Sequence, residues 1–375
     1  METTAAFRGL VCTACEEAVD PGVERCPDCG GVLAPDYDPD AVETTAALTP
    51  FPDPVAVSID DGDTPLVSVP ELAAELGVDS VGIKDEGRNP TGSLTDRKLA
   101  PAVTAAAQQD ADRVATPSTG NGAQAAAAAA ARAGIDSKGF VPSRCPFVNK
   151  AMVNVHGGDM RVVEGRYSDA VAVFEDTDEE FAPVAPGHPF RIQGGVSLAM
   201  ELLDDCGGTA PDAVVHPTGH GETLVGLARG FELAVSAGLA EGVPRLYAAQ
   251  PESSAPIADA VRESDDAPSE VEFPDTIVGP LEVPAPAAGR AAIGAVESSG
   301  GDGVAVSDKD TLQGAVDGCE MGPEIGATGG TAVGGVRALS DRDAFDPEDR
   351  VVLVNPVAGS KEGDLLRSHL MSQGL

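Results

Sequence analysis

Four of the seven cysteines stand in two closely spaced pairs near the start of the chain. The pairs are Cys12-x-x-Cys15 and Cys26-x-x-Cys29, with ten residues between them. Each pair can present two thiolates from one tight turn, and two such turns form a tetrahedral site that suits zinc. Two disulfides are the alternative, which a reducing cytoplasm disfavours. Four thiolates leave no open coordination position, so we expect a structural zinc ion.

Two polar turns each lie between a predicted strand and a predicted helix. Ser118–Asn121 contains side chains that commonly cap a helix start. Pro217–Thr223 contains Gly219 and Gly221, and a flexible loop before a helix is a general anion site because its N–H groups point outward. Glu222, however, places a carboxylate at that helix start, where it interacts favourably with the helix dipole and takes the place of an anion.

Short β-branched runs alternate with longer alanine-rich stretches over most of the chain. This alternation predicts an α/β protein with parallel sheets. The predicted strands are Val81–Lys84, Val114–Pro117, Gly139–Pro142, Met160–Val163, Ala213–His216, Arg245–Ala249, Val304–Val306 and Val351–Asn355. The predicted helices include Gln124–Ala133, Val196–Leu203, Thr223–Ser236, Ala287–Glu297, Thr331–Leu339 and Gly363–Met371.

The segment Lys84–Arg97 resembles the cofactor segment of threonine synthases, which are fold-type-II (tryptophan synthase beta-like) enzymes that depend on pyridoxal phosphate (PLP). Ser118–Asn121, Phe140–Pro146 and Pro189–Gly194 also look like that family, as does Cys26–Asp38. The resemblance implies a two-lobed fold-type-II fold with parallel-sheet α/β lobes. A small zinc ribbon precedes the lobes, as archaeal threonine synthases often have.

The resemblance also implies a division of the chain. Residues 1–36 would form the zinc ribbon, and residues 37–375 the PLP-enzyme-like unit. Within that unit we expect a smaller lobe at about 95–190. It would be nested in a larger lobe made of residues 37–94 and 191–375.

Individual roles follow from the same resemblance. The family's lysine forms a Schiff base with PLP, and Thr95 stands at that position. A threonine after a late strand contacts the ring nitrogen in the family, and here Pro356 stands there, with neither hydroxyl nor N–H. Asn121 would hydrogen-bond the ring hydroxyl. The implied cofactor-binding residues are Ser93, Asn121, Gly219, His220, Gly221 and Thr223.

These departures favour a threonine synthase-like protein that is catalytically impaired or inactive. The hydroxyl of Thr95 cannot form an imine, and Glu222 and Pro356 alter the phosphate and ring-nitrogen sites. PLP would then bind only non-covalently, if at all, and zinc would be the structural cofactor. The cleft or the ribbon would instead bind a small-molecule ligand or a partner protein, and a homodimer is compatible with this interpretation.

The alternative is an active PLP-dependent carbon–oxygen lyase that converts O-phosphohomoserine to threonine with a relocated lysine. Lys98 is the candidate, because three helical residues turn the chain by about 300° and advance it by about 4.5 Å. It would then lie one turn from Thr95 on nearly the same face. In the competing interpretation Lys98 is a solvated lysine on the helix surface.

The composition excludes two classes of partner. With 61 acidic and 24 basic residues, the formal charge is −37, which repels nucleic acid and acidic membranes. The charge, and only six lysines, are typical of a cytoplasmic protein from a salt-loving organism, which suggests a haloarchaeal-type paralogue; an ordinary acidic soluble protein is the alternative. No apolar run approaches the roughly 18 residues of a membrane helix, and Met1–Leu10 lacks the features of a secretory signal.

Overall fold

A computed structural model describes residues 1–374, and among them it contains thirteen strands and twelve α-helices. The strands are β1 (Phe7–Cys12), β2 (Ala18–Val19), β3 (Leu33–Tyr37), β4 (Leu66–Ser68), β5 (Ser80–Asp85), β6 (Arg113–Pro117), β7 (Asp136–Pro142), β8 (Asp159–Val163), β9 (Ala182–Pro183), β10 (Ala213–Pro217), β11 (Arg245–Pro251), β12 (Gly303–Val306) and β13 (Arg350–Asn355).

The helices occupy most of the intervals between these strands. They are α1 (Pro70–Leu76), α2 (Thr95–Ala107), α3 (Asn121–Ala133), α4 (Phe147–Val155), α5 (Tyr167–Glu175), α6 (Gln193–Asp205), α7 (Glu222–Ser236), α8 (Pro256–Glu263), α9 (Gly289–Ser298), α10 (Asp308–Met321), α11 (Ala327–Ser340) and α12 (Gly363–Ser372).

The chain forms two compact units. Unit 1 contains residues 1–62, 89–201 and 225–240, and unit 2 contains residues 63–88, 202–224 and 241–375. The division runs through α6 and α7. The three-part division that the sequence suggests stays a prediction.

Unit 1 contains two sheets. The antiparallel sheet has the order β2-β1-β3, and the four paired cysteines lie in it or next to it. The parallel sheet has the order β8-β7-β6-β9. The alanine-rich helix α3 lies very close to β7, because a Cβ on Gly139 would be only 2.8 Å from that of Ala123. Small residues on both elements allow this close approach. Tyr37, at the end of β3, donates a 2.6 Å hydrogen bond to Gln193 of α6.

Unit 2 contains a six-stranded sheet with the order β12-β11-β10-β13-β5-β4. All its strand pairs are parallel except β4 with β5, which are antiparallel. The last strand in the sequence, β13, lies between β10 and β5. Apolar side chains of these strands pack with α1 and α11 in one core that includes Leu72, Ile83 and Val336. The carboxyl ends of β5, β10 and β13 therefore lie side by side.

The α/β prediction with parallel sheets is confirmed, and each of the eight predicted strands and six predicted helices lies at an observed element. The short strands β1–β4 and β9 and six helices had not been predicted. One of these unpredicted helices, α2, contains Pro101 in its interior, although a proline normally signals a helix end. Among residues 1–374, no helix combines the length and hydropathy that crossing a bilayer requires.

Candidate cofactor and metal sites

The four paired cysteines form one cluster. Their Sγ atoms all lie within 4.8 Å of one another. The Sγ–Sγ distance is 3.5 Å from Cys12 to Cys29, 3.6 Å from Cys15 to Cys26, and 3.5 Å from Cys15 to Cys29. A tetrahedral centre with Zn–S bonds of about 2.3 Å requires sulfur atoms about 3.8 Å apart. The cluster therefore has the size and the donor set that suit a zinc ion.

Glycines and backbone hydrogen bonds shape the turns around this cluster. Gly30 has φ +71°, a left-handed conformation that glycine adopts without strain. A Cβ on Gly31 would be 2.8 Å from Sγ of Cys12, so a larger residue would press on the sulfur atoms. The N–H of Ala14 donates to Sγ of Cys12 over 3.4 Å. These contacts hold the thiolates in place from the backbone.

Thr95 is the first residue of α2, and its hydroxyl is engaged locally. It shares a hydrogen bond with the hydroxyl of Ser93, and the N–H of Thr95 donates to Oγ of Ser93 over 3.3 Å. Ser93 is buried, whereas Thr95 is half-buried. Thr95 thus presents a hydroxyl and no amine at the start of α2, and a hydroxyl cannot form an imine.

The residues that follow Thr95 are anchored more strongly than Thr95 itself. Asp96 accepts hydrogen bonds from the N–H and the hydroxyl of Thr91, at 2.7 and 2.6 Å. Arg97 donates two parallel hydrogen bonds to Glu201, both of 2.6 Å. Asp96 and Arg97 are both buried. Such bidentate, charge-assisted pairs are among the stronger polar contacts in proteins, so they fix the start of α2.

Lys98 lies one turn after Thr95 and is half-buried. Part of its aliphatic stem is covered, because a Cβ on Gly194 would be 3.0 Å from Cγ of Lys98. The side chain is therefore less solvated than a typical surface lysine.

Asn121 begins α3 and is buried with its neighbours. Its Oδ1 accepts a 3.0 Å hydrogen bond from Nδ2 of Asn149, on α4. Gly120 has φ +144°, and a Cβ there would be 2.4 Å from Nδ2 of Asn149. Ser118 accepts the N–H of Gly120 over 3.0 Å. Asn149 had not been predicted as a site residue, because nothing in its local sequence points to a partner 28 residues away.

The loop between β10 and α7 contains the predicted phosphate-binding residues. Gly221 has φ +86°, and a Cβ there would be 2.6 Å from that of Ala292. His220 has a structural role, because its Nδ1 accepts the N–H of Ala287 over 3.3 Å. Neighbouring segments of unit 2 therefore hold this loop in place.

The start of α7 combines an acid with a buried hydroxyl. Glu222 is its first residue, only 1% exposed. Thr223 is also 1% exposed, and its hydroxyl has no hydrogen-bond partner among residues 1–374. The Glu222 side chain lies at the helix end whose dipole favours negative charge.

The carboxyl end of β13 binds a carboxylate of its own unit. Nδ2 of Asn355 donates a 2.8 Å hydrogen bond to Oδ1 of Asp85, at the end of β5. Burial raises the pKa of Asp85, and the hydrogen bond from Asn355 partly lowers it again. Pro356 follows and is buried, and Ser360 is exposed. Asn355 is therefore engaged with Asp85, and Pro356 has no polar side-chain atom to offer.

A second buried carboxylate lies nearby in the sequence. Glu362 accepts hydrogen bonds from the N–H and the hydroxyl of Thr328, at 2.8 and 2.6 Å, in the first turn of α11. Burial raises the pKa of Glu362, and the Thr328 hydrogen bonds lower it in part. Glu362 thus caps α11 from 34 residues away, a contact that sequence reasoning missed.

The predicted site residues fall into two groups. Ser93, Thr95 and Asn121 lie in unit 1, where Gln124 of α3 reaches the carbonyl of Thr91 over 3.4 Å. Gly219, His220, Gly221 and Thr223 lie together in one loop of unit 2.

Comparisons with known proteins identify a family model and several relatives of this chain. The family model described as "Pyridoxal-phosphate dependent enzyme" matches residues 57–357. Threonine synthase of Methanosarcina acetivorans is 27% identical over 92% of this chain and 90% of its own length. Threonine synthase of Mycobacterium tuberculosis is 30% identical over 68% of this chain and 69% of its own length.

A solved structure gives the same result for the fold. L-Serine ammonia-lyase from Rhizomucor miehei superposes with a TM-score of 0.71 at 20% identity, over 83% of this chain and 98% of that chain. The chain belongs to the family of pyridoxal-phosphate dependent enzymes. Its curated relatives place it in the threonine synthase branch of that family.

Proposed function

We propose that this chain is a threonine synthase-like protein that is catalytically impaired or inactive. Thr95 carries the proposal. PLP chemistry in the family depends on a lysine amine that binds the cofactor and moves protons. Thr95 stands at that position and offers only a hydroxyl, which is hydrogen-bonded to Ser93.

Two further positions support the proposal. Glu222 places a buried carboxylate at the start of α7, where the family binds the PLP phosphate. Pro356 stands where the family has the threonine that contacts the ring nitrogen, and the adjacent Asn355 is engaged with Asp85. Any PLP that binds would be held non-covalently, because Thr95 offers no amine.

The competing function is an active carbon–oxygen lyase that uses Lys98. One observation favours it: α2 is helical from Thr95 onward and Lys98 is half-buried, one turn along. Against it, the amine of Lys98 would have to take over the role of a lysine that stands one helical turn earlier in the family. It would also have to act with an altered phosphate site and an altered ring-nitrogen site. We therefore prefer the impaired protein, acting as a binder of a small molecule or a partner protein.

The cysteine cluster supports a second part of the proposal, a structural zinc ion held by Cys12, Cys15, Cys26 and Cys29. Its size suits four-thiolate coordination. We further propose a cytoplasmic, salt-adapted protein, on the basis of the charge of −37.

The test is to purify the protein in concentrated salt with PLP and to record its visible spectrum. We expect no internal-aldimine band and no peptide labelled by borohydride reduction. O-phosphohomoserine should give no threonine. A reduced PLP adduct on Lys98 would overturn the proposal and support the lyase.

Thr95→Lys is the matched variant. We expect this substitution alone to restore little activity, because Glu222 and Pro356 remain. Full activity from the single change would show that the phosphate and ring-nitrogen sites still accept PLP.

A further inference from the structure

A surface pocket lies within unit 1, away from every residue assigned above to the cofactor. Its volume is about 250 Å³, and it is formed by the turn before Cys26, the end of α2, β9 and the segment before α6. Ligand pockets commonly begin at about 300 Å³, so this pocket suits a molecule of a few heavy atoms. A bound molecule would contact both the ribbon and the helix–sheet part of unit 1.

The floor of the pocket is apolar and firmly packed. Ala106 and Phe190 line it, and both are buried. The ring of Phe190 contacts those of Phe51 and Phe7, with centroids 5.0 and 6.0 Å apart. Because these rings fix one another, the floor is preorganised and does not have to be rearranged by a ligand.

The polar side chains that line the pocket include one carboxylate, which accepts hydrogen bonds when it is ionised. Glu24 contributes a carboxylate, and Gln109 contributes an amide. Nε2 of Gln109 donates a hydrogen bond to the carbonyl of Ala105 over 3.1 Å. Its Oε1 lies near Gly22, because a Cβ on Gly22 would be 3.8 Å from that oxygen. His188 completes the polar wall, and the lining contains neither lysine nor arginine.

We propose that this pocket binds a small aliphatic ammonium ion. The ammonium group would donate hydrogen bonds to Glu24 and Gln109, and the alkyl chain would cover Ala106 and Phe190. A carboxylate of the same size would meet Glu24 without any lysine or arginine in the lining to balance its charge. The net charge of −37 and the Glu24 carboxylate in the lining both favour the binding of a cation.

Arg25 provides an internal check on this assignment. Arg25 is adjacent to Glu24 in the chain, so its guanidinium and an ammonium ligand compete for the same carboxylate. Removing the guanidinium should therefore tighten binding, whereas removing the carboxylate should weaken it. A purely apolar mode of binding does not predict this pair of opposite effects.

The experiment is a calorimetric titration of the full chain with n-butylammonium chloride, at constant ionic strength, with sodium butyrate as the anionic probe. We expect saturable binding of the amine only. Glu24→Gln should weaken it about tenfold, Arg25→Gln should strengthen it, and Ala111→Met, which fills the pocket, should abolish it. Glu17→Gln is the matched control, since Glu17 is an exposed ribbon carboxylate outside the pocket.

Two results would overturn the assignment. One is the absence of saturable amine binding to the folded protein. The other is binding that Glu24→Gln and Ala111→Met leave unchanged, or that butyrate reproduces. Melting curves of each variant establish that it is folded, so a lost signal reports on the pocket.

Discussion

The cysteine cluster and the start of α2 lie in the same unit but match their motifs to different degrees. All four cysteines are present, with sulfur atoms at the spacing that a tetrahedral centre needs. At the start of α2, Asp96 and Arg97 agree with the cofactor segment that Lys84–Arg97 resembles, whereas Thr95 departs from it. Asp96 pairs with the buried Thr91 and Arg97 pairs with the half-buried Glu201, and these contacts shape the fold, whereas a lysine at position 95 would serve the chemistry of the proposed family motif. Under the function proposed above, the fold keeps these structural contacts without the amine that the chemistry needs.

The largest effect is expected from removing a cysteine. Cys26→Ser should abolish zinc binding and unfold the ribbon, because metal binding supplies about 10–16 kcal/mol in small zinc domains. Zinc analysis and limited proteolysis of the first 40 or so residues measure this. Cys206→Ser is the control, since Cys206 lies outside the cluster. One zinc per chain in Cys26→Ser would contradict the structural role.

A smaller loss is expected from Arg97→Ala. It leaves Glu201 without its bidentate partner, and because the Glu201 side chain is 25% exposed the loss should fall below the roughly 3–5 kcal/mol of a fully buried ion pair. Denaturant unfolding of Arg97→Ala, Glu201→Ala and the double variant gives the coupling energy. If the two single losses simply add, the pair does not hold the start of α2.

Glu362→Gln should change the pH dependence of stability. Burial raises the folded-state pKa of Glu362, so its favourable contribution is complete below the unfolded pKa of about 4.3 and is lost as pH rises through the folded pKa. The variant should therefore gain stability relative to the natural protein across that window. Glu324→Gln, an exposed neighbour, should show no such gain. Parallel pH profiles for Glu362→Gln and the natural protein would refute the assignment.

The smallest effect is expected at the position with the greatest chemical consequence. Thr95→Ala removes one hydroxyl from a half-buried pair, which should cost about 1 kcal/mol or less. The same denaturant experiment compares it with Arg97→Ala. A loss as large as that of Arg97→Ala would show that Thr95 has acquired a structural role.

Much of this architecture follows from local sequence. Strands such as Val351–Asn355 and the cysteine spacing carry their own signal, since β-branched runs and Cys-x-x-Cys pairs act over a few residues. The contacts of Asn121 with Asn149, Arg97 with Glu201 and Thr328 with Glu362 could not be predicted, because each joins distant segments. Local periodicity indicates that a side chain is buried, but it does not identify the residue that the side chain contacts.

The position of β13 has a consequence for synthesis. Asn355 meets Asp85 across 270 residues, and β13 separates β5 from β10 in the finished sheet. At about 5–20 residues per second, a ribosome needs roughly 15–55 s between these two residues. During that interval β5 has an open edge that β13 later covers, and β10 has one from the synthesis of Pro217 onward. A nascent chain of this protein therefore exposes one strand edge for most of its translation and a second edge once β10 is made, which is when a chaperone would matter most to it.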